Sequence, residues 1–257
     1  MSVAFRKYRK TAAHSYCFGV FPTLELLTHQ PDKAVNVLLV NERGGGNGVE
    51  HIRSICRQRH IPVLVAPRAI ERIGGAGSAV VGVFKKYDQA IASHTDHLVL
   101  VNPRYMGNLG TIIRTMVGFG LRDLALIQPA PHILAPEVVR GSMGAVFQTR
   151  WQYYTDFAAY RRRHRHHLYC LMPDGRARLD QLVVRQPYAL VFGSEGDGLP
   201  SRFHQLGTSV RIPQTEQVDS LNLAVAVAIT LYHVAAREAK QPAPSASPRP
   251  HPRGSSF

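Results

Sequence analysis

The sequence predicts an α/β protein, and three of its features support that prediction. Short apolar runs typical of buried strands alternate with segments whose apolar residues recur at helical spacing. Hydrophobic residues make up 45% of the 257 residues, which is enough to fill one large domain or two modest ones. No uninterrupted apolar run reaches the roughly 18 residues of a membrane-spanning helix. We therefore expect a folded protein without a membrane span.

A first α/β domain with parallel strands is predicted over residues 15–86. Residues 87–96 are polar and should form a linker helix or loop, and the basic residues 1–14 should be loosely held. Within the domain we expect strands at 35–42, 61–66 and 79–84 and helices at 24–30, 49–60 and 67–75, the second helix carrying Val49, Ile52, Ile55 and Cys56 on one stripe.

A second α/β domain is predicted over residues 97–238. Its last segment, 220–240, is rich in Ala and long enough for a helix. Because that helix is apolar nearly all round, it should be buried, and a second subunit is one partner that would bury it. Residues 239–257 are rich in Pro, Ser and Arg and read as a disordered basic tail. The remaining strands are expected at 97–101, 121–127, 167–172, 188–195 and 209–214, and the remaining helices at 111–120 and 136–148.

The net charge indicates the class of binding partner, and the cysteine content indicates the cellular compartment. Thirty-one Lys and Arg residues against 17 Asp and Glu give a net charge of +14, which favours a polyanion such as nucleic acid as partner. The alternatives are a solubility feature or attraction to a membrane surface. The three cysteines are widely spaced and odd in number, so they do not form a disulfide framework. Basic residues at the N-terminus are not followed by the apolar stretch of a signal peptide. We expect a cytoplasmic protein.

The stretch NPRYMGNLGTIIRT (102–115) combines a glycine-flanked helix start with an isolated arginine. On a helix from Thr111, Arg114 points away from the packed sheet, and Asn108 and Gly110 flank the helix start. Unpaired N–H groups at a helix N-terminus, together with an arginine, favour a phosphate or hydroxyl clamp. The alternative is a capping turn with a solvated arginine.

Two further stretches carry glycine and polar residues where a ligand could bind. LVFGSEGDGLP (190–200) runs from a strand into a bend that contains Gly193, Gly196 and Gly198, and the carboxyl ends of strands are where α/β folds bind ligands. Glu195 in this bend should pair with a positive group. In RIPQTEQVDSLNLAVAVA (211–228), Ser220 or Asp219 could cap the final helix.

Asn222 lies inside the predicted final helix, where it must find a partner if it is buried.

Taken together, these stretches resemble the SpoU/TrmH-type RNA ribose 2′-O-methyltransferases of the SPOUT superfamily. The resemblance consists of N-x-G-x-x-x-R ending at Arg114, F-G-S-E-G-x-G-L at 192–199, I-P at 212–213 and S-L-N at 220–222. GSMGA at 141–145 is similar to the small-residue segment that the family has between the first two motifs. YCFGVFPTLELL (16–27) is similar to the start of a substrate-binding domain often fused ahead of this fold.

The resemblance implies a fold, a cofactor and an assembly. The fold is a SPOUT-type, mostly parallel sheet with a deep trefoil knot, preceded by a small α/β substrate-binding domain. The cofactor is S-adenosylmethionine, and the assembly is a homodimer whose site is completed across the interface. The partner is RNA, ribosomal RNA more than transfer RNA because of the extra N-terminal domain. The implied cofactor-binding residues are Leu190, Phe192, Gly193, Gly198, Ile212 and Leu221, and the implied catalytic set is Asn108, Arg114, Glu195, Ser220 and Asn222.

The implied reaction moves a methyl group from a sulfonium to a ribose 2′-hydroxyl. The family's proposed base corresponds to Arg114, but a guanidinium stays protonated in proteins. Our hypothesis is that Arg114 holds the neighbouring phosphate and polarises the hydroxyl, while Asn108 and Glu195 orient it.

Three alternatives stay open. The basic run RRRHRHH (161–167) is either a solvated segment or an RNA contact, and we expect no metal site because its histidines lack a Cys or carboxylate at ligand spacing. The chain could be a non-catalytic RNA-binding protein that kept the fold. It could also be a nucleotide-dependent oxidoreductase that uses GSEGDG, although no helix is expected directly after that loop.

Overall fold

The chain folds around two β-sheets. The computed structural model describes residues 5–42, 46–215, 217 and 219–239. The predicted tail therefore lies, from residue 240 on, outside the described residues, as do residues 1–4 of the predicted N-terminal segment.

The first sheet is mixed, so the prediction of parallel strands over 15–86 is wrong. It contains β1 (His14–Phe18), β2 (Ala34–Leu39), β3 (Val63–Val65) and β4 (Val80–Lys85) in the order β1-β4-β2-β3. β4 runs antiparallel to both β1 and β2, and only β2 and β3 are parallel. Apolar runs show where strands lie, but they carry no information about strand direction. The connection between β3 and β4 is long enough for a parallel or an antiparallel strand.

The helices of the first half cover this sheet. They are α1 (Val20–His29), α2 (Gly46–Gln58) and α3 (Pro67–Arg72), and α3 begins at a proline as expected. In α2, Val49, Ile52 and Cys56 are buried, which confirms the predicted stripe apart from the half-buried Ile55.

Residues 5–13 are held against the domain, which corrects the expectation of a loose segment there. The Tyr16 hydroxyl donates a hydrogen bond to the Arg6 carbonyl over 2.7 Å. The Lys86 ammonium donates to the Lys10 carbonyl over 2.5 Å and lies over the Tyr8 ring. Backbone acceptors and an aromatic face thus bind a stretch that composition alone marks only as basic.

The second sheet is parallel at every described pairing. Its order is β7-β6-β5-β10-β8-β11-β9. The strands are β5 (His97–Val101), β6 (Asp123–Ile127), β7 (Arg150–Tyr154), β8 (His167–Leu171), β9 (Ala177–Arg178), β10 (Tyr188–Phe192) and β11 (Thr208–Arg211). The central strands β5, β6 and β10 are buried along their whole length, as helices on both faces of a parallel sheet require.

Four α-helices among the described residues of the second half flank this sheet, and none of them matches a predicted range. They are α4 (Met106–Gly118), α5 (Pro136–Gly141), α6 (Phe157–Arg163) and α7 (Leu223–Glu238). α4 starts five residues before the expected Thr111. α5 stops at Gly141 because Met143 and Gly144 have positive φ, and a short 3₁₀ helix follows at Ala145–Gln148. α6 was not predicted.

A glycine pair sets the distance between α4 and α5. A Cβ added at Gly110 would lie 2.9 Å from the Cα of Gly141, closer than real Cβ atoms approach a backbone. The first motif and the small-residue segment 141–145 therefore meet at a helix–helix contact that only glycine permits.

The two halves share one apolar core. Phe84 of β4 packs edge-on against Phe147 with ring centroids 5.1 Å apart. The Ser15 hydroxyl donates to the Leu134 carbonyl over 2.6 Å. The connecting residues 87–96 form no helix or strand, but Tyr87 packs on Trp151 at 5.0 Å.

Among the described residues, no helix has both the length and the apolar character needed to cross a membrane.

Candidate active site

A cavity of about 440 Å³ opens where β10 and β11 end at their carboxyl edge. This is the edge at which parallel α/β sheets bind ligands, and the volume is typical of small-molecule sites. Five of the six residues expected to bind the cofactor line it: Phe192, Gly193, Gly198, Ile212 and Leu221. The sixth, Leu190, is fully buried in the middle of β10 and does not reach it.

The loop after β10 is folded back on itself so tightly that glycine is required. A Cβ at Gly193 would lie 2.0 Å from the carbonyl carbon of Gly198, and Gly198 itself has φ +64°. The Gly198 N–H donates to the Ser194 carbonyl over 3.1 Å. The glycines therefore shape one wall of the cavity. Only a 3₁₀ helix (Ser201–Gln205) follows, so the loop lacks the helix of a dinucleotide-binding turn.

The cavity is acidic although the chain as a whole is basic. Four carboxylates are among its lining residues: Asp174, Glu195, Asp197 and Asp219. None of the described residues that line it is Lys, Arg or His. The rest of the wall is mainly apolar. This combination favours a ligand with an apolar body and a positive charge over one with a pyrophosphate.

The Glu195 side chain contacts the N-terminus of α4, which is the positive partner that the sequence left unidentified. Its carboxylate accepts hydrogen bonds from the backbone N–H of Arg104 (2.8 Å) and Tyr105 (3.3 Å) and from the Asn108 side-chain amide (3.0 Å). The expected positive partner is thus the positive end of a helix, not a cation. The helix N-terminus predicted as a free phosphate site is occupied by this carboxylate.

These contacts set the protonation state of Glu195. Partial burial alone would raise the pKa of its carboxyl, but the hydrogen bonds from Asn108 and the two backbone N–H groups outweigh burial, and the pKa lies below its ordinary value. Glu195 is therefore ionised near neutral pH and is a poor general base.

The third motif joins the same network through Asn222. Its side-chain oxygen accepts from the N–H of Ala224 (2.9 Å) and Val225 (3.4 Å), so Asn222 is the N-cap of α7. Its amide donates to the Asn108 side-chain oxygen over 3.3 Å. The expectation that Asn222 lies inside the helix and that Ser220 or Asp219 caps it is wrong, because the helix starts at Leu223.

Ser220 is exposed and lies on the cavity wall.

Arg114 is not part of this network within one chain. It lies on the exposed side of α4, six residues after Asn108, which is about 9 Å along the helix axis. It does not line the cavity. Among the residues that the structure describes, its side chain has no hydrogen-bond or ion-pair partner. The sequence prediction that Arg114 points away from the sheet is confirmed.

Arg104 is a site residue that sequence reasoning missed. Its guanidinium pairs with the Asp197 carboxylate, and a Cβ at Gly196 would lie 2.8 Å from its Nη1. Arg104 therefore holds the tip of the glycine loop against the start of α4. Its place in Asn-Pro-Arg just before the helix was visible, but its partner lies 93 residues away.

The basic run 161–167 is neither wholly solvated nor wholly available to RNA. Arg162, Arg163 and Arg165 are exposed, whereas His164 and His166 are buried beside His97. The run ends α6 and enters β8, and the alternation of buried and exposed residues follows from that transition.

The fold and the cavity define an α/β protein with a small-molecule site at the carboxyl edge of a parallel sheet. Residues 96–232 match the SpoU rRNA Methylase family, and the chain belongs to that family.

Similarity to individual proteins extends over different parts of the chain. An uncharacterized tRNA/rRNA methyltransferase of Synechocystis sp. is 34% identical over 139 residues, which are 52% of this chain and 51% of that protein. The chain thus spans about half the length of this relative. A 23S rRNA (adenosine(1067)-2′-O)-methyltransferase of Streptomyces azureus is 25% identical over 222 residues, which cover 81% of this chain and 82% of that protein.

Solved structures show the same fold. The AdoMet-bound rRNA methyltransferase from Sinorhizobium meliloti superposes with a TM-score of 0.72 at 26% identity, and 88% of each chain is covered. The SpoU methyltransferase AviRb from Streptomyces viridochromogenes superposes with a TM-score of 0.76 at 22% identity, covering 90% of this chain and 93% of that one.

Proposed function

We propose that the protein is an S-adenosylmethionine-dependent RNA methyltransferase that acts on a ribose 2′-hydroxyl. One observation carries the proposal: an acidic, otherwise apolar cavity lies directly beside the hydrogen-bonded set Asn108, Glu195 and Asn222. The family membership of residues 96–232 supports it.

The cavity suits S-adenosylmethionine, which supplies a methyl group on a positively charged sulfur. Phe192, Ile212 and Leu221 offer apolar surface for an adenine ring, and the glycine loop gives close access to backbone groups at Gly193 and Gly198. The carboxylates along the wall, of which Asp197 is paired with Arg104, favour the positive charge of the sulfonium over a negatively charged ligand. The related Sinorhizobium meliloti structure contains AdoMet.

Positioning of the ribose falls to Asn108 and Arg114. Asn108 is fixed from two sides, by Glu195 and by Asn222, so its orientation is set before RNA binds. Arg114 holds the phosphate beside the target nucleotide as a bidentate clamp. The C–S bond breaks as the new C–O bond forms. The proton of the newly methylated oxygen is released to solvent, because the Glu195 carboxylate is engaged in three hydrogen bonds and the Arg114 guanidinium stays protonated.

Arg114 reaches the cavity of a second subunit in a homodimer. Val225, Ile229 and Tyr232 form an exposed apolar stripe on α7 at helical spacing, and Phe119, just after α4, packs edge-on against Tyr232. A self-complementary contact through this face would bury the stripe and bring the partner's Arg114 towards the cavity.

The substrate is RNA, and ribosomal RNA more than transfer RNA. The net charge of +14 supports a polyanionic substrate. The Streptomyces azureus relative, which acts on 23S rRNA, aligns over both halves of this chain. In this proposal the domain of residues 15–86 binds RNA and the domain of residues 97–238 catalyses methyl transfer. Residues 87–96 link the two domains. A cytoplasmic location is supported by the three free cysteines, all of them buried.

We also propose that the chain between β10 and α7 is threaded as a deep trefoil knot. The strand order β10-β8-β11-β9 supports it, since β11 lies between the two strands β8 and β9 that precede it in the chain.

Transfer of tritiated methyl from S-adenosylmethionine to bulk cellular RNA tests the proposal. Incorporation separates an enzyme from a non-catalytic RNA-binding protein. The oxidoreductase alternative is disfavoured by the four carboxylates in the cavity, and nicotinamide fluorescence on addition of protein would test it directly.

A further inference from the structure

Three histidines that are far apart in sequence meet at the amino edge of the second sheet. His97 is the first residue of β5, and His164 and His166 lie between α6 and β8. All three are at least 96% buried. The rings of His97 and His166 stack with centroids 4.1 Å apart, and the His164 ring lies 4.9 Å from that of His97.

Backbone carbonyls fix the tautomers of two of these rings. His97 Nε2 lies 2.7 Å from the Ala92 carbonyl, and His166 Nε2 lies 2.7 Å from the Thr95 carbonyl. A carbonyl only accepts, so both Nε2 atoms carry the hydrogen, and in each neutral ring Nδ1 is left with a lone pair. In His97 that lone pair accepts from the Tyr160 hydroxyl at 2.9 Å.

Two ring nitrogens of the cluster are left without a hydrogen bond. Nδ1 of His164 and Nδ1 of His166 are buried and have no partner among the described residues. His164 uses its Nε2 for the Tyr154 hydroxyl at 2.7 Å. Buried polar atoms are nearly always paired, so two orphaned nitrogens in one cluster need an explanation.

The rings of His97 and His164 favour the neutral form. Burial lowers the pKa of His97 to about 4, and burial and the neighbouring His166 lower the pKa of His164. Protonation is therefore an unfavourable way to satisfy the free lone pair of His164, whereas neutral imidazole is the form that binds metals.

We propose that His97, His164 and His166 bind a divalent transition-metal ion, with Zn²⁺ as the best match. One ring nitrogen from each lies within 4.8 Å of the other two. Zn–N bonds of about 2.0–2.1 Å place tetrahedral ligands about 3.3 Å apart, so the ring nitrogens need to close in by up to roughly 1.5 Å. Water or the Tyr160 hydroxyl completes the coordination.

Two of the three histidines have the outer contacts that are usual for metal-binding histidines, whose second ring N–H donates to a carbonyl or carboxylate. The carbonyls of Ala92 and Thr95 orient two of the rings, and buried Asp123 accepts from the Ala92 N–H (3.1 Å) and the Thr95 hydroxyl (2.9 Å). Asp123, which is itself held by the Arg150 guanidinium, therefore fixes both residues that orient the ligands.

The proposed metal is structural. His97 begins β5 at the edge of the sheet opposite the cavity, which lies where β10 ends. The ion would join β5 to the α6–β8 connection and take no part in methyl transfer. The inference is therefore independent of the proposed function.

A cobalt titration of the full-length, tag-free protein, freed of metal with a chelator, tests the site. We expect one equivalent of Co²⁺ to give the visible absorption of tetrahedral coordination and to be displaced by Zn²⁺. His166→Gln should weaken binding at least about tenfold. His167→Gln is the matched control, because His167 is adjacent but exposed, and it should bind as the wild type does.

Thermal unfolding gives a second measurement on the same proteins. Zn²⁺ should raise the melting temperature of the wild type and of His167→Gln equally, and that of His166→Gln much less. If His166→Gln does not fold, X-ray absorption of the wild-type zinc complex should show three imidazole ligands. Absence of tetrahedral Co²⁺ absorption, undiminished binding by a folded His166→Gln, or another ligand set would overturn the inference.

Discussion

The Asn108 amide donates a hydrogen bond to the Glu195 carboxylate over 3.0 Å, joining two motifs that lie 87 residues apart. The same carboxylate closes the N-terminus of α4, and Asn222 contacts Asn108 from the other side. Three separate segments of the chain are thus locked together by one short-range polar network.

Glu195→Gln should lower the free energy of unfolding at neutral pH by about 0.5–1 kcal/mol, because it removes a negative charge from a helix N-terminus. The pKa of Glu195 in the folded state lies below its ordinary 4.5. Its contribution is therefore full above about pH 4.5 and is lost as the pH falls through the lower folded-state value. Urea unfolding of both proteins across this pH range should show the difference shrinking towards acid.

Glu71→Gln, at an exposed position on α3, is the control and should have almost no effect. A difference between wild type and Glu195→Gln that grew on acidification would contradict the account.

Gly110→Ala should destabilise the protein by about 1–3 kcal/mol, because the new methyl would overlap the backbone of Gly141. Alanine normally stabilises a helix interior by about 1 kcal/mol relative to glycine, so the expected sign is reversed here. Gly118→Ala on the same helix has nothing within 4 Å and should be neutral or stabilising. Urea unfolding of the wild type and of both variants measures these differences in stability. Equal stability of the two variants would exclude a tight α4–α5 contact.

Ile229→Asp should convert a dimer to monomers, because it places a charge in the apolar stripe of α7. Sedimentation velocity measures this, and methyl transfer should fall with the dimer. Leu64→Asp is a matched control, since Leu64 is 41% exposed and Ile229 38%, but Leu64 lies on β3. A wild-type protein that sediments as a monomer at assay concentrations would refute the shared site.

Inactive subunits should restore each other's activity if Arg114 acts across the interface. Heterodimers of Arg114→Ala with Leu221→Trp, which fills the cavity, contain one intact cavity faced by an intact arginine. We expect methyl transfer from the co-expressed, doubly tagged heterodimer and none from either homodimer. Inactive heterodimers would show that Arg114 serves its own chain.

Local sequence patterns predicted most of the helices and strands. They did not predict the directions of the strands or the residues at which helices and strands begin and end. The central strand β5 was predicted to the residue, since four apolar residues after His97 and the polar Asn102 behind them leave little choice. β7 was missed because its sequence, RWQYY, mixes polar and aromatic residues, as suits the edge of the sheet. α4 begins at Met106 because Glu195 closes its N-terminus, and that contact is invisible in the sequence around residue 106.

For the site, the sequence could name only residues that lie within the linked motifs. Phe192, Gly193 and Leu221 line one cavity, and their role in binding the cofactor stays a prediction. The pairing of Arg104 with Asp197 and the meeting of His97 with His164 depend on which strands lie side by side, which no spacing rule supplies. The expectation of no metal site considered only neighbours in sequence, and the proposed three-histidine site opposes it.

The most direct test of the central claim is where the methyl group goes and whether Arg114 is needed. Labelled RNA from the tritium assay is digested with alkali, which cannot cleave beside a 2′-O-methyl ribose. We predict label in alkali-resistant dinucleotides, a loss of about 100-fold or more in both Arg114→Ala and Arg114→Lys, and nearly unchanged S-adenosylmethionine affinity by calorimetry. Label in mononucleotides, or equal loss of transfer and cofactor binding, would contradict the account.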